Sequence, residues 1–442
     1  MTIKNFRCFR DEQRARLAPL TLLVGENSTG KTSLLALIRA LWDLSCAKQL
    51  PNFKEPPYDL GSFDDIVHRR GGRTAGEDTF AAGCRFSDSG CSFDALFAKR
   101  NTAPFPVRRR LSCGDNWVQD RLDDDRHWRI SYRTKNGRWE WVGIPGGPTF
   151  AEADDSDRAH MRSFSLGLIV PIALGLDSAR PGLRGRPAPV EADWKQLRQL
   201  VTQSPQGGSG RPLSRPHAGA PVRSRPRRTY DPTQLAKDPE GEYVPMYLAD
   251  TFRRAPHEWT ALRGALDEFG KEAGLFDEIT VRSLGKSEAD PFQVHVRKFG
   301  NRTKGPRRNL IDVGYGVSQV LPVISELLRS DARHRFLLQQ PEVHLHPSAQ
   351  AAFGTLLCRL AARDRQLIVE THSDHLLDRV RMDVRDRRTD LAPEDVSILF
   401  FERGDQDVRI HSLRLDQRGN VLGAPPNYRR FFIDETNRSI GL

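Results

Sequence analysis

The chain has 442 residues, 38% hydrophobic and 28% charged, and its 68 Lys and Arg outnumber 57 Asp and Glu for a net charge of +11. This length excludes a single small core and suits roughly two to three domains, or one large α/β unit with insertions. The basic surplus favours phosphate-rich partners, although an Arg-rich composition produces the same balance without one.

The opening Thr2-Ile3-Lys4-Asn5-Phe6 is a polar strand and not a signal peptide. The longest apolar run, 164–176, contains Pro171 and is too short to span a bilayer, so no membrane partner and a cytoplasmic location are expected. Six cysteines, at 8, 46, 84, 91, 113 and 358, form no C-x-x-C pair, and reduced thiols are the expectation.

Residues 1–45 read as strand, turn, strand, phosphate loop and helix. Gly25-Glu26-Asn27-Ser28-Thr29-Gly30-Lys31-Thr32 is a complete G-x-x-x-x-G-K-[ST] string. The glycines let the backbone form a cup of inward N–H groups, Lys31 reaches the β- and γ-phosphates, and the Thr32 hydroxyl is a Mg²⁺ ligand. Leu20–Val24 before it is an apolar, β-rich run, and 33–42 after it has helical spacing. Bound phosphates would therefore sit on a helix N-terminus.

Residues 78–145 are β-rich, with strands expected at 80–86, 128–132 and 139–142. The stretch 178–232 is rich in Arg, Pro and Gly, and 204–220 is expected to be a mobile loop. Its arginines, Arg211, Arg215, Arg223, Arg225, Arg227 and Arg228, suit either a phosphate-backbone grip, with Tyr230 as a stacking platform, or a solvated basic loop. Residues 247–275 are helical, with Trp259, Leu262, Leu266 and Phe269 at three- and four-residue steps. Strands at 279–281 and 292–296 follow. Helix 317–329, strand 335–339, helix 348–363 and strand 366–370 then alternate, which implies a parallel sheet.

Three segments stand out in this last part: Asp312-Val313-Gly314-Tyr315-Gly316-Val317-Ser318-Gln319, Gln339-Gln340-Pro341-Glu342-Val343-His344-Leu345-His346-Pro347, and Glu370-Thr371-His372-Ser373. With the phosphate loop, their order resembles the ABC-type ATPase heads of the RecF, SMC and OLD group, and most of all the single-chain ATPases of prokaryotic anti-phage defence operons. The resemblance is strong over 1–45 and 295–380, extends to 424–432, and is loose in between.

It implies an α/β ATPase head with a mixed or parallel sheet flanked by helices, formed by 1–50 and 275–442. Residues 51–177 would be an inserted β-rich part, 178–245 a flexible insertion and 246–274 a helical lobe. It further implies ATP and Mg²⁺ as cofactors. Gly25 to Ser33 would be the Walker A loop and Leu337–Gln340 the Walker B strand, with Gln339 at the metal position and Gln340 at that of the catalytic base. His372 would be the switch histidine. Gly314, Gly316 and Ser318 would lie in the signature segment, which reaches the γ-phosphate held by a second head, so that ATP joins a homodimer or higher oligomer.

The departure from the pattern is the pair Gln339 and Gln340, where such heads carry two acids. An amide accepts a hydrogen bond from water but cannot take its proton, and loss of the base costs about 10² to 10⁴ in rate. Two readings stay open: slow hydrolysis in an ATP-dependent clamp or sensor, which is favoured, or a base role for Glu342, whose duller reading is a D-loop surface carboxylate. Glu342, His344 and His346 alternate like metal ligands, but a D-loop is the default. Phe9 and Arg10 either flank the adenine or end an ordinary strand. Asp64 and Asp65, in the Q-loop region, either handle Mg²⁺ or water or cap a helix.

About seventy residues follow His372, too few for the nuclease domain of OLD proteins, so the expected partner is a separately encoded effector, a nuclease being one candidate. A RecF-like repair ATPase acting on nucleic acid and a non-hydrolysing scaffold are the alternatives.

Overall fold

The computed structural model describes residues 1–46, 49–69, 78–87, 89–122, 128–134, 137–142, 183–184, 215–232, 237–300, 303–329, 335–363 and 365–428. The apolar run 164–176, Arg211, most of the 178–214 stretch and residues 429–432 lie outside them. The chain divides into two compact units, Met1–Ala15 with Ser33–Arg215 and Arg403–Arg409, and Arg16–Thr32 with Pro216–Glu402 and Ile410–Leu442.

The first unit is built on a nine-stranded antiparallel sheet. It runs in space from Leu183–Arg184 through Gly137–Val142, Trp128–Thr134, Asn116–Leu122, Ala103–Cys113, Cys91–Arg100 and Thr79–Arg85 to Thr2–Lys4 and Gln13–Arg14. Strand Cys91–Arg100 alternates buried and accessible residues over its first half, as a half-buried strand must, and turns Phe93, Ala95 and Phe97 inward. Phe97 stacks on Phe80 at 4.6 Å between ring centroids, and Phe6, Phe53 and Phe63 close around them. Arg109 faces Asp120 across the next strand pair and forms a fully buried ion pair with it.

One expectation is corrected in this unit, and one of two open readings is met. Cys91 and Cys113 are not thiols: they stand directly opposite in register and form a disulfide. The Q-loop acids are helix-end and ion-pair residues. Asp65 completes a capping box with Ser62 on the turn Phe63–Ile66, and Asp64 pairs with Lys99 at 2.6 Å and with Arg69 at 2.5 Å. Phe9 is wholly buried and bridges Phe6, so it offers no face to an adenine.

The second unit holds the parallel sheet. Its strand order is His217–Gly219, Arg335–Gln339, Gln366–Glu370, Leu20–Gly25, Val396–Arg403, Val408–Leu415 and Val421–Leu422, the first five running parallel. Their continuous apolar runs suit strands covered on both faces. Helices Tyr315–Leu328, Pro347–Ala361 and Asp374–Arg385 lie between successive strands of this set in the sequence. The phosphate-loop strand thus ends beside Gln366–Glu370, with Arg335–Gln339 one place further out. That puts three strand ends, and the turns after them, on one edge of the sheet, where open α/β sheets bind their ligands.

Four features of this unit differ from expectation. The helical stretch breaks into Val244–Arg254 and Pro256–Glu272, because Pro256 lacks an N–H and starts the second helix at its first turn. Residues 217–219 of the expected mobile loop form a sheet strand, paired with Phe336–Leu338. Strands Val396–Arg403 and Val408–Leu415, which were not anticipated, extend the sheet beyond the phosphate-loop strand. Tyr230 is not a stacking platform for a base: it is buried against Phe292 at 5.5 Å.

Candidate nucleotide site

The phosphate loop has the backbone its sequence requires. Gly25, Ser28 and Gly30 take φ of 138°, 61° and 86°, all positive. At Gly25 only hydrogen fits, since a Cβ would lie 2.6 Å from the Phe401 carbonyl oxygen on the adjacent strand. Glu26, Asn27 and Ser28 form the exposed tip, while Thr29 is buried with its hydroxyl donating to the Glu26 carbonyl at 2.8 Å. Lys31 is buried, and its Nζ donates to the carbonyls of Gly25 at 3.0 Å and Glu26 at 2.5 Å. The ammonium is therefore held inside the loop, where a phosphate oxygen would meet it. Thr32 opens the helix Lys31–Ser45, and its hydroxyl donates to Glu370 Oε2 at 2.8 Å. Ser33 is buried, and its Oγ accepts from Arg7 at 3.3 Å.

Glu370 is the residue that the sequence reading missed. It ends its strand in register with Gln339, is 5% exposed, and its backbone carbonyl accepts from Gln340 N at 2.8 Å. Burial pushes its carboxyl above the usual carboxylate range, against the pull of the Thr32 hydrogen bond and of Lys31.

Gln339 is buried too, and its side-chain Nε2 has no hydrogen-bond partner among the described residues. Gln340 turns the chain sharply with φ of 41°. Behind this turn lies Arg223, buried rather than solvated, with Nη2 donating to the Gln339 carbonyl at 3.2 Å. Burial lowers its guanidinium to about 10, with Glu342 the opposing charge. The other described arginines of the basic run are also engaged where contacts are seen: Arg215 with Asp43 and Glu55, Arg227 with Glu242, and Arg228 with Asp312.

Glu342 is no surface carboxylate. It is 4% exposed, and Oε1 accepts from both Thr371 Oγ1 at 2.6 Å and His372 N at 2.9 Å, while Oε2 has no partner among the described residues. It ties the turn after one strand to the turn after the next. His372 reaches the surface; partial burial and Lys31 hold its imidazole below the usual histidine range, so it is neutral at pH 7. His344, with φ of 69°, packs beside Tyr315, and His346 caps the helix Pro347–Ala361 through Ser348. Glu342, His344 and His346 thus have three separate employments and do not converge.

The glycine turn meets the same region. Gly314 caps the helix Tyr315–Leu328 and, with Tyr315, is exposed. A Cβ on Gly316 would stand 2.9 Å from the His344 carbonyl oxygen, so the helix start lies against the 340–346 segment. Ser318 is buried and turns its hydroxyl back to the Tyr315 carbonyl at 3.1 Å.

The residues present fit a magnesium nucleotide: a cup of positive-φ backbone, an ammonium within it, and a hydroxyl and a carboxylate as hard oxygen donors. Among the described residues no helix is long and apolar enough to cross a membrane.

Two family models match the chain, one described as AAA ATPase domain over residues 1–80, the other as AAA domain, putative AbiEii toxin, Type IV TA system, over 187–378. An OLD nuclease of Thermus scotoductus is 24% identical over 389 residues. That match takes in 84% of this chain but 58% of the relative, so the chain spans under two thirds of the protein it resembles. Among solved structures, an SMC head bound to the C-terminal winged-helix domain of ScpA aligns over 94% of this chain and 97% of its own, at 11% identity and a TM-score of 0.40. The SMC head domain from Thermotoga maritima aligns over 93% and 97%, at 12% identity and a TM-score of 0.35.

Proposed function

We propose that the chain carries an ABC-type ATPase domain of the RecF, SMC and OLD group, binds ATP with Mg²⁺, pairs head to head on it, and gates a separate effector while hydrolysing slowly. The observation that carries the slow-turnover reading is the end of strand Arg335–Gln339. It presents two amides, and Oε1 of the nearby Glu342 is spent on the Thr371 hydroxyl and the His372 N–H. Neither Gln339 nor Gln340 accepts a proton at neutral pH. When bound, the magnesium nucleotide supplies the phosphoanhydride to be cleaved and neutralises its charge; Gly25–Thr32 would cradle it and Thr32 would ligate the metal. Neutral His372 would hydrogen-bond a γ-phosphate oxygen.

The pairing reading is supported by Gly314 and Tyr315, which expose the start of a 14-residue helix, as a site completed by a second copy's nucleotide would need. The defence role rests on the OLD nuclease relative and on the toxin–antitoxin description of one family model.

The test is a steady-state ATPase assay of wild type, Lys31→Ala and Gln340→Glu, with light scattering in the presence and absence of ATP. A slow wild-type rate, a faster Gln340→Glu and ATP-dependent mass doubling are expected, all lost in Lys31→Ala. Turnover of ordinary size without change of mass would overturn the reading.

A further inference from the structure

A magnesium nucleotide brings concentrated charge into a pocket whose expected acidic strand end is neutral. A carboxylate stands one strand over. Glu370 closes strand Gln366–Glu370, pairs in register with Gln339, and is 5% exposed. Its Oε2 accepts a hydrogen bond from the Thr32 hydroxyl at 2.8 Å. A hydroxyl whose proton is held in this way keeps its lone pairs available for a cation. Gln339 contributes an independent sign: its buried Nε2 donor has no partner among the described residues, beside the strand end where the carboxylate is found.

We propose that Glu370 is the metal-site carboxylate of this head, the acidic group having moved from strand Arg335–Gln339 to its parallel neighbour, with Gln339 as a positioning residue. The proposal rests on the reading of the pocket as an ATP–Mg²⁺ site. The mundane alternative is that Glu370 only anchors the Thr32 side chain. Glu370→Gln separates the two, because the amide oxygen still accepts from Thr32 but carries no charge to offer a hard cation.

The experiment is calorimetric titration of the full chain with ATPγS, once in EDTA and once in Mg²⁺, for wild type, Lys31→Ala, Glu370→Gln and the exchange Gln339→Glu/Glu370→Gln. A parallel titration with Mn²⁺ follows bound metal by electron paramagnetic resonance. Wild type should bind more tightly with Mg²⁺ by about tenfold or more, the size expected of one charged ligand contact. Glu370→Gln should keep its affinity in EDTA and lose the Mg²⁺ gain together with the bound Mn²⁺ signal. The exchange variant should recover both.

A full Mg²⁺ gain in folded Glu370→Gln overturns the assignment while leaving the nucleotide reading intact, as does a wild type that binds ATPγS without any Mg²⁺ gain. No binding by wild type in either buffer overturns the nucleotide reading itself. Lys31→Ala should lose affinity in both buffers.

Discussion

Two substitutions at Glu342 separate a latch from a catalytic base. Its Oε1 holds two donors, the hydroxyl of Thr371, itself 1% exposed, and the backbone N–H of His372, which is half-buried. Glu342→Ala strands both. A buried donor left unsatisfied costs about 1–3 kcal/mol, and the half-buried one falls at the low end, so the loss is about 2–4 kcal/mol. Glu342→Gln keeps an acceptor oxygen in the same place. It gives up the charge assistance of two bonds and the attraction of Arg223, but also the cost of burying a carboxylate, and the net change should stay within about 1 kcal/mol. Turnover should fall with Glu342→Ala, whose His372 is released, and change by less than about threefold with Glu342→Gln. A base would behave in the opposite way, since the amide would remove about 10² to 10⁴ in rate from a protein that folds normally. Urea denaturation followed by tryptophan fluorescence gives the first quantity and single-turnover ATP hydrolysis the second. A hundredfold drop in Glu342→Gln at unchanged stability would refute the latch.

Gly316→Ala puts a methyl group 2.9 Å from the His344 carbonyl oxygen, so the helix start must shift. A destabilisation of about 1–3 kcal/mol and loss of ATP-dependent pairing are expected, by denaturation and light scattering. Gly264→Ala is its control: the glycine is exposed inside the helix Pro256–Glu272, a Cβ there meets nothing within 4 Å, and stability should rise by about 0.5–1 kcal/mol. At Cys8, burial raises the thiol to about 11, so it stays protonated at lower pH. Its alkylation by iodoacetamide, followed by mass spectrometry, should climb about tenfold per pH unit between 8 and 10; a flat profile there would contradict the assignment.

What the sequence makes legible is contiguous. Gly25–Thr32 carries its own geometry, and the apolar runs 20–24, 335–339 and 366–370 announce buried parallel strands, which the register confirms. Relations between distant residues are invisible in it. Glu370 reads as the last residue of a strand until pairing sets it beside Gln339 and against Thr32, 338 positions earlier. Glu342 reads as a D-loop surface carboxylate or a base until its burial and its bonds to Thr371 and His372 are seen. The arginine run reads as free charge because its acidic partners, Asp43, Glu55, Glu242 and Asp312, lie elsewhere in the chain. Strand Val396–Arg403 is a plain apolar run, but no local pattern announces that it pairs with the distant phosphate-loop strand Leu20–Gly25.

Register also sets the cost of a further carboxylate at position 339. Gln339 and Glu370 are register partners on parallel strands, and both are buried. Arg223 lies on the Gln339 backbone, but its Nε and Nη1 have no partner among the described residues, and the charge facing it is Glu342. A glutamate at 339 would therefore meet the like charge of Glu370 without a guanidinium contact of its own. Like charges in register on neighbouring strands are destabilising, and burial strengthens the repulsion. Gln339→Glu alone should cost about 1–3 kcal/mol, and Glu370→Gln alone, which keeps the Thr32 acceptor, should cost less. Combined, they restore a single negative charge on this register pair, so the double variant should be more stable than the sum of the two by about 1 kcal/mol or more. Urea denaturation of the four proteins without metal or nucleotide measures this coupling, and additive energies would mean that the two side chains do not share one electrostatic site.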